Sequence, residues 1–182
     1  MYENEIKAAQ EKFGELIRKQ LKRIEDMKSQ GDFVDYKALD KIVIGVCGGD
    51  GIGPAITAQA QRVLEYLLAD DVKAGKIEFR VIDGLTIERR AAEMAAIPEE
   101  VLKELKECDV ILKGPTTTPR KGDEWPNVES ANVAMRKALD LFANVRPVRI
   151  PELGIDWTFY RENTEGGYAA GKEGVSITDE LG

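Results

Sequence analysis

The sequence predicts an α/β protein in which helices pack on a parallel sheet. Short β-branched runs alternate with stretches whose apolar residues recur at helical spacing. The first run ends in a glycine-rich turn that leads directly into a helical stretch. Strands that are separated by helices pair in parallel, so this order predicts a sheet covered by helices.

The first forty residues predict one amphipathic helix followed by a short connection. Apolar side chains recur there every three or four residues, with charged and amide side chains between them. Gly31 and Asp32 end the pattern. The helix carries mixed charges, which favours packing on its own domain or on a partner subunit over binding to a membrane surface. The apolar positions are Ile6, Ala9, Phe13, Leu16, Ile17, Leu21, Ile24 and Met27.

The alternation of strands and helices begins at Lys41. A helix with Pro near its first turn is favoured because Pro lacks the N–H that such a helix leaves unpaired. The predicted order is a strand over Ile42 to Cys47, a helix over Ile56 to Leu68, a strand over Ile77 to Ile82, a helix over Pro98 to Cys108 and a strand over Val110 to Leu112.

Two turns follow predicted strands, and ligands of open α/β sheets bind beyond the carboxyl ends of strands. We therefore expect the turns at residues 48–54 and 113–119 to face one cleft. The first lacks the G-x-G-x-x-G spacing, which argues against an ordinary dinucleotide site. By itself it is a turn whose glycines supply unusual backbone conformations. The second holds one lysine and three threonines, typical either of a rigid solvent loop or of donors for a ligand.

Composition excludes several classes of function. The 182 residues carry a net charge of −7, which argues against a nucleic-acid surface. No apolar run is long enough to span a bilayer, and the polar N-terminus is unlike a signal peptide, so a cytoplasmic location is expected. The absence of histidine excludes imidazole chemistry within this chain. Cys47 and Cys108 lie beside apolar runs and are predicted to be buried free thiols.

Arginines between residues 130 and 168 indicate an anion site. Each planar guanidinium can grip a carboxylate with two hydrogen bonds, which suits a small ligand with several carboxylates. If residues from Ser130 onward form a helix, Asn132 and Arg136 share a face and Ser130 can cap the helix start. The candidate ligand-binding residues of this segment are Ser130, Asn132, Arg136, Arg146 and Arg161.

Five sequence blocks follow one another along the chain: Gly49-Asp50-Gly51-Ile52-Gly53-Pro54, Lys113-Gly114-Pro115-Thr116-Thr117-Thr118-Pro119, Ser130-Ala-Asn132-Val-Ala-Met-Arg136, Leu141-Phe-Ala-Asn-Val-Arg146-Pro147 and Arg161-Glu-Asn-Thr-Glu-Gly-Gly-Tyr168. In this order they resemble the decarboxylating β-hydroxyacid dehydrogenases, the isocitrate and isopropylmalate dehydrogenase family. The resemblance covers residues 41–182. It implies an incomplete isopropylmalate-dehydrogenase-like parallel-sheet domain at 41–125, the start of a smaller substrate and dimerisation domain at 126–182, and a helical extension at 1–40.

Within this family the Ser-x-Asn-x-x-x-Arg block resembles the isocitrate branch. Isopropylmalate enzymes usually have apolar residues where Ser130 and Asn132 stand, whereas a hydroxyl and an amide suit the extra carboxylate of isocitrate. The resemblance thus implies a tricarboxylate substrate that contacts Ser130, Asn132, Arg136, Arg146 and Arg161. Isopropylmalate is the alternative substrate, followed by homoisocitrate and tartrate-type relatives.

The resemblance also implies how catalysis is shared. Tyr168 matches the catalytic tyrosine, which protonates the enolate left after hydride transfer and loss of carbon dioxide. Thr117 and Thr118 match hydroxyls near the nicotinamide of NAD or NADP, and Lys113 is expected beside the same site. A divalent ion, Mg²⁺ or Mn²⁺, would stabilise the developing oxyanion, with its ligands expected outside this chain.

Family members are longer than this chain, as expected of two linked domains. The general-base lysine, the metal-binding aspartates and the residues that grip adenosine are missing from the sequence. We therefore expect an N-terminal half that functions in a homo- or hetero-oligomer or with a complementary C-terminal half. The alternative is a non-catalytic subunit that binds a tricarboxylate or regulates a partner. Neither nucleic acid nor membrane is an expected partner.

Overall fold

A computed structural model describes residues 2–29 and 34–164 of the chain. These residues fall into two compact units. One contains the N-terminal helix, and the other spans residues 36–164. Within the described ranges no helix is both long enough and apolar enough to cross a membrane.

The N-terminal helix, α1 (Glu3–Ser29), confirms the amphipathic helix predicted from the sequence. Glu3 and Glu5 occupy its first turn and Lys28 its last, an arrangement that complements the helix dipole. None of its residues is buried, and Phe13 is 63% exposed. Its apolar stripe therefore faces outward along the described part of the chain.

Residues 36–164 contain a three-stranded parallel sheet formed by β1 (Ile42–Cys47), β2 (Ile77–Val81) and β3 (Val110–Lys113). The order is β2-β1-β3, so the first strand lies in the middle. Its last four residues are buried, which fits a β-branched central strand covered on both faces. The sheet confirms the predicted α/β class.

Six helices belong to the described residues, and four of them lie between or beside these strands. The helix predicted over Pro98 to Cys108 is shorter in the structure, because Pro98 occupies the position before its first turn. The two helices that periodicity does not predict are only five and six residues long, too short to show a helical repeat. The five helices that follow α1 are α2 (Gly53–Leu67), α3 (Ala69–Lys73), α4 (Ile87–Ala92), α5 (Glu99–Lys106) and α6 (Ala131–Ala138).

One hydrophobic cluster joins the sheet to α5 and α6. Cys47 at the end of β1 packs with Val101 and Leu105 of α5 and with Ala131 and Met135 of α6. Burying such side chains stabilises a fold by roughly 1.5–3 kcal/mol for each large aliphatic group. The domain boundary expected between residues 125 and 126 stays a prediction, and α6, beyond it, packs on the core of the parallel-sheet unit.

An antiparallel hairpin follows α6. It consists of β4 (Ala143–Ile150) and β5 (Ile155–Glu162), joined by a single 3₁₀ turn at Pro151–Leu153. Gly154 closes that turn with φ 65°, a left-handed conformation in which glycine carries no side-chain penalty. These two strands are not among those predicted from the sequence.

Large apolar side chains remain exposed in the described ranges, as expected of an incomplete domain. Tyr66 of α2 is 83% exposed, and Trp157 of β5 is 60% exposed. Exposed apolar surface of this extent is typical of a face that another protein element covers.

The two glycine-containing turns pack backbone against backbone. The Asp50 amide donates to the Pro115 carbonyl at 2.8 Å. A Cβ atom added to Gly114 would lie 2.0 Å from the Gly48 carbonyl oxygen, and one added to Gly53 would lie 2.2 Å from the same atom. Close approach therefore requires glycine at both positions. The contacts of Gly114 with Gly48 and of Asp50 with Pro115 show that the turns after β1 and β3 meet.

Gly114→Ala is expected to destabilise the chain by about 3 kcal/mol, because the added Cβ would overlap the Gly48 carbonyl oxygen, a backbone atom that cannot rotate away. Gly51→Ala is the matched control: Gly51 has φ 59° and open space around it, so its cost is limited to roughly 1 kcal/mol of backbone strain. Urea denaturation of both variants measures the difference. A Gly114→Ala variant no less stable than Gly51→Ala would contradict the close packing of the two turns.

Candidate functional site

The site lies where the turns after β1 and β3 meet, and the Asp50 carboxylate is at its centre. Asp50 is 9% exposed. One carboxylate oxygen accepts a hydrogen bond from the Thr117 amide at 2.6 Å, and the other accepts one from the Ile87 amide at 2.7 Å. A single side chain therefore links the first turn, the second turn and the start of α4.

Arg90 of α4 is fully buried beside this contact. Its guanidinium donates to three backbone carbonyls: to Ala96 at 2.8 Å, to Thr117 at 2.7 Å and to Glu129 at 2.8 Å. Burial lowers the pKa of the Arg90 side chain, and the negative charge of Asp50 opposes that shift. The arginine is thus held by oriented carbonyl dipoles and by a nearby carboxylate.

Asp50 and Arg90 together fix the Thr117 backbone, while its side chain faces outward. Thr117 and Thr118 are both exposed, as predicted candidates for a cofactor must be. Lys113 is half-buried, and its Nζ donates to the Gly114 carbonyl at 2.8 Å and to Thr116 Oγ1 at 3.1 Å. Burial lowers the pKa of Lys113, and the positive charges of Arg90 and Arg136 act in the same direction. Lys113 therefore binds residues of its own loop and is close enough to Arg136 of α6 for the two positive charges to interact.

Helix α6 contains two of the predicted ligand-binding residues, and a third, Ser130, immediately precedes it. Asn132 is exposed, Arg136 is partly exposed, and their spacing of four residues places them on one helix face. Ser130 occupies the N-cap position, but its hydroxyl makes no capping hydrogen bond, so that prediction is wrong. The helix entry is fixed instead by Arg90, which holds the carbonyl of Glu129, the residue before Ser130.

The hairpin brings the two remaining arginines to one face. Asn144 of β4 lies opposite Arg161 of β5, and Arg146 lies opposite Phe159. Side chains alternate between faces along a strand and opposite residues share a face, so Arg146 and Arg161 are on the same side as diagonal neighbours. Arg146 Nε donates to Asn144 Oδ1 at 2.8 Å. Both arginines are exposed.

Asn163 ties the base of this hairpin to the end of α6. Its backbone amide donates to the Phe142 carbonyl at 2.9 Å, and its side-chain amide donates to the Leu141 carbonyl at 3.4 Å. The Leu141 amide in turn donates to the Arg136 carbonyl at 2.8 Å. The arginine of α6 and those of the hairpin are thus linked through consecutive backbone contacts. Tyr168 lies outside the described residues.

Neither cysteine contributes a reactive group. Cys47 is buried and Cys108 partly buried, both as free thiols, which confirms the prediction. Burial raises the pKa of the Cys47 thiol to about 11 and also raises that of Cys108. At neutral pH both are protonated, and the thiolate is the nucleophilic form.

A metal ion and a nicotinamide cofactor fit the described residues to different degrees. In residues 2–29 and 34–164 no group of three or more Cys, Asp or Glu side chains is placed to hold a metal ion. The exposed hydroxyls of Thr117 and Thr118, on a loop whose backbone is fixed, suit the reactive end of a nicotinamide.

Sequence reasoning missed the two residues that hold the site together. Asp50 stands between glycines in a turn, where a short carboxylate side chain is typical of an acceptor for backbone N–H groups. Arg90 gives no signal in the sequence: it follows Arg89, a partly exposed arginine paired with Glu93 and Glu100, and burial distinguishes the two.

Two turns meet at the carboxyl ends of parallel strands and are tied to the start of α6, which carries Arg136, and Arg146 and Arg161 lie on the hairpin that follows. This α/β arrangement suits a small ligand with several negative charges. Residues 43–180 match the family model described as isocitrate/isopropylmalate dehydrogenase. The chain belongs to that family, whose members are decarboxylating dehydrogenases.

Relatives agree with this assignment. The chain is 36% identical over 142 residues to an NADP isocitrate dehydrogenase of Caldococcus noboribetus, covering 71% of this chain and 31% of the relative. It is 34% identical over 151 residues to a 3-isopropylmalate dehydrogenase of Anaeromyxobacter dehalogenans, covering 75% and 42%.

A solved structure agrees as well. An apo β-decarboxylating dehydrogenase of Thermococcus kodakarensis matches with a TM-score of 0.54 and 35% identity, over 69% of this chain and 35% of that one. The chain thus spans between about a third and two fifths of the length of these three relatives.

Proposed function

We propose that this chain supplies the substrate-recognition part of an isocitrate dehydrogenase, which oxidises isocitrate and releases carbon dioxide to form 2-oxoglutarate. The observation that carries the proposal is the placement of Asn132 and Arg136 on one face of α6, whose start Arg90 connects to the Thr117 loop. An exposed amide and a guanidinium beside a hydroxyl-bearing loop suit a hydroxy acid with several carboxylates.

Five side chains share the recognition of the substrate carboxylates. Charge-assisted hydrogen bonds contribute roughly 1.5–3 kcal/mol each, so two or three bidentate contacts are sufficient for micromolar binding. Arg136 grips one carboxylate from α6, and the shared hairpin face of Arg146 and Arg161 offers guanidinium groups for the others. Ser130 and Asn132 receive the carboxylate that isocitrate has and isopropylmalate lacks.

The remaining residues orient the reacting groups. A nicotinamide would supply the hydride acceptor for the carbon that bears the hydroxyl, and residues of this chain would orient the two partners. Thr117 and Thr118 present their hydroxyls at the nicotinamide side, and Lys113 keeps the loop folded through Gly114 and Thr116. Tyr168 donates the proton that the enolate takes up after carbon dioxide is lost.

Several of the isocitrate dehydrogenases that resemble this chain are named for NADP, which makes NADP the first cofactor to test and NAD the second. Because the chain spans about a third of these relatives, we propose that it works with further polypeptide. That polypeptide is another subunit of a homo- or hetero-oligomer or a complementary C-terminal half. It would supply the general base, the grip on adenosine and the ligands of Mg²⁺ or Mn²⁺.

3-Isopropylmalate dehydrogenase is the second candidate function. It is favoured by one specific observation, the 34% identity to the enzyme of Anaeromyxobacter dehalogenans. The two candidates differ in what Ser130 and Asn132 contact: a carboxylate in isocitrate, or an isopropyl group in isopropylmalate. A hydroxyl and an amide lose their water on binding an isopropyl group without gaining hydrogen bonds, which costs free energy.

Arg136→Ala is expected to weaken isocitrate binding by at least tenfold, because one charge-assisted contact is lost. Lys137→Ala is the matched control, since Lys137 is an exposed cation at the next position of the same helix. Calorimetric titration of the full chain with isocitrate measures both. Equal affinity in the wild type and in Arg136→Ala would remove α6 from the site and with it the proposed function.

The double variant Ser130→Leu with Asn132→Leu is expected to lose affinity for isocitrate and to gain affinity for 3-isopropylmalate. The apolar side chains remove the donors for a carboxylate and provide a surface for the isopropyl group. Competition titrations with the two ligands measure the ratio of dissociation constants, which should change by tenfold or more. An unchanged ratio would show that these positions do not select the substrate.

A further inference from the structure

We propose that Asp50 and Arg90 are positioning residues that hold the cofactor-side loop and the substrate-side helix in a fixed relation. The inference rests on the proposed function, because it concerns the same site. Neither side chain is expected to touch a ligand, since Asp50 is 9% exposed and Arg90 is fully buried. They act through the backbone of Thr117 and of Glu129.

Asp50 and Arg90 both bind the backbone of Thr117. Its amide donates to the Asp50 carboxylate at 2.6 Å, and its carbonyl accepts from Arg90 at 2.7 Å. Both backbone polar groups of one residue are thus held by buried side chains of opposite charge. Contacts of this kind are shorter and stronger than neutral hydrogen bonds, so the direction of the Thr117 side chain is set by them.

The same guanidinium also binds the backbone just before α6. Arg90 Nη2 donates to the Glu129 carbonyl at 2.8 Å, one residue before Ser130 and three before Asn132. A guanidinium is planar and rigid, so two carbonyls bound to its neighbouring nitrogens keep a fixed separation. Arg90 therefore sets the distance between the Thr117 loop and the start of α6.

Two further hydrogen bonds attach Asp50 to the start of α4 and Arg90 to the segment that follows α4. Arg90 Nε donates to the Ala96 carbonyl, and the second Asp50 oxygen accepts from the Ile87 amide at the start of α4. Apolar side chains would fill this space with less desolvation cost, whereas a fully bonded ionic network imposes one geometry. An error near 1 Å in the placement of reacting groups can reduce rates by a factor of about 100, so such a geometry has a functional use.

The test uses Asp50→Asn and Arg90→Lys in the full chain, with Arg89→Lys as the matched control. Asn preserves the shape of Asp but leaves only one oxygen for two amides, and a lysine amine cannot span three carbonyls. Arg89 lies next to Arg90 but is paired with the exposed side chains of Glu93 and Glu100. The measurements are the amide resonances of Thr117 and Asn132 in ¹⁵N-labelled protein and the dissociation constant for isocitrate.

The proposal predicts that Arg90→Lys shifts the resonances of both Thr117 and Asn132, that Asp50→Asn shifts at least that of Thr117, and that each weakens isocitrate binding by about tenfold or more. Arg89→Lys should change neither. If one of the two variants fails to fold, the other decides. Folded variants with wild-type resonances and affinity would overturn the proposal.

The resonances separate this proposal from the proposed function. If the wild type binds no isocitrate, the proposed function fails, and the unliganded spectra alone decide the present inference. Shifts at both Thr117 and Asn132 in Arg90→Lys, absent in Arg89→Lys, would then support the positioning role. Shifts confined to the neighbours of residue 90 in α4 would overturn it.

Discussion

The Thr117 peptide, held between the Asp50 carboxylate and the Arg90 guanidinium, is the contact on which the rest of the site depends. Two turns that follow different strands, a short helix and the start of α6 meet at these two side chains. Removing either side chain would leave the backbone groups that it binds without that partner, which typically costs about 1–3 kcal/mol for each buried group. Local order at the carboxyl end of the sheet therefore depends on hydrogen bonds from buried charged side chains as well as on apolar packing.

This contact also explains why the glycine-rich turn needs its glycines. Asp50 reaches Thr117 only because the backbone of the first turn lies directly against that of the second, with the Gly48 carbonyl in the space that side chains at Gly53 and Gly114 would fill. The turn resembles a phosphate-binding loop in composition but has a different use. The amide and the carboxylate of Asp50 bind the neighbouring loop of the protein itself.

The sequence was sufficient to predict the elements with a clear repeat. Helix α1, strand β1 and the parallel pairing of the strands follow from periodicity, from the alternation of strands with helices and from the position of glycine and proline. Strand β4 was not predicted, because arginines and Pro147 interrupt its apolar pattern. The register that places Arg146 and Arg161 on one face depends on tertiary pairing, which a local pattern does not encode. Arg90 was missed for the same reason: its burial is decided by segments far along the chain.

We propose that Asn132 and Arg136, on the face of α6 next to the Thr117 loop, bind the carboxylates of a tricarboxylate. A crystal structure of the chain grown with isocitrate tests it most directly. We expect a carboxylate of isocitrate within hydrogen-bonding distance of both Asn132 and Arg136, with the isocitrate hydroxyl directed toward Thr117. Isocitrate bound elsewhere, with Asn132 and Arg136 in contact with solvent only, would contradict it.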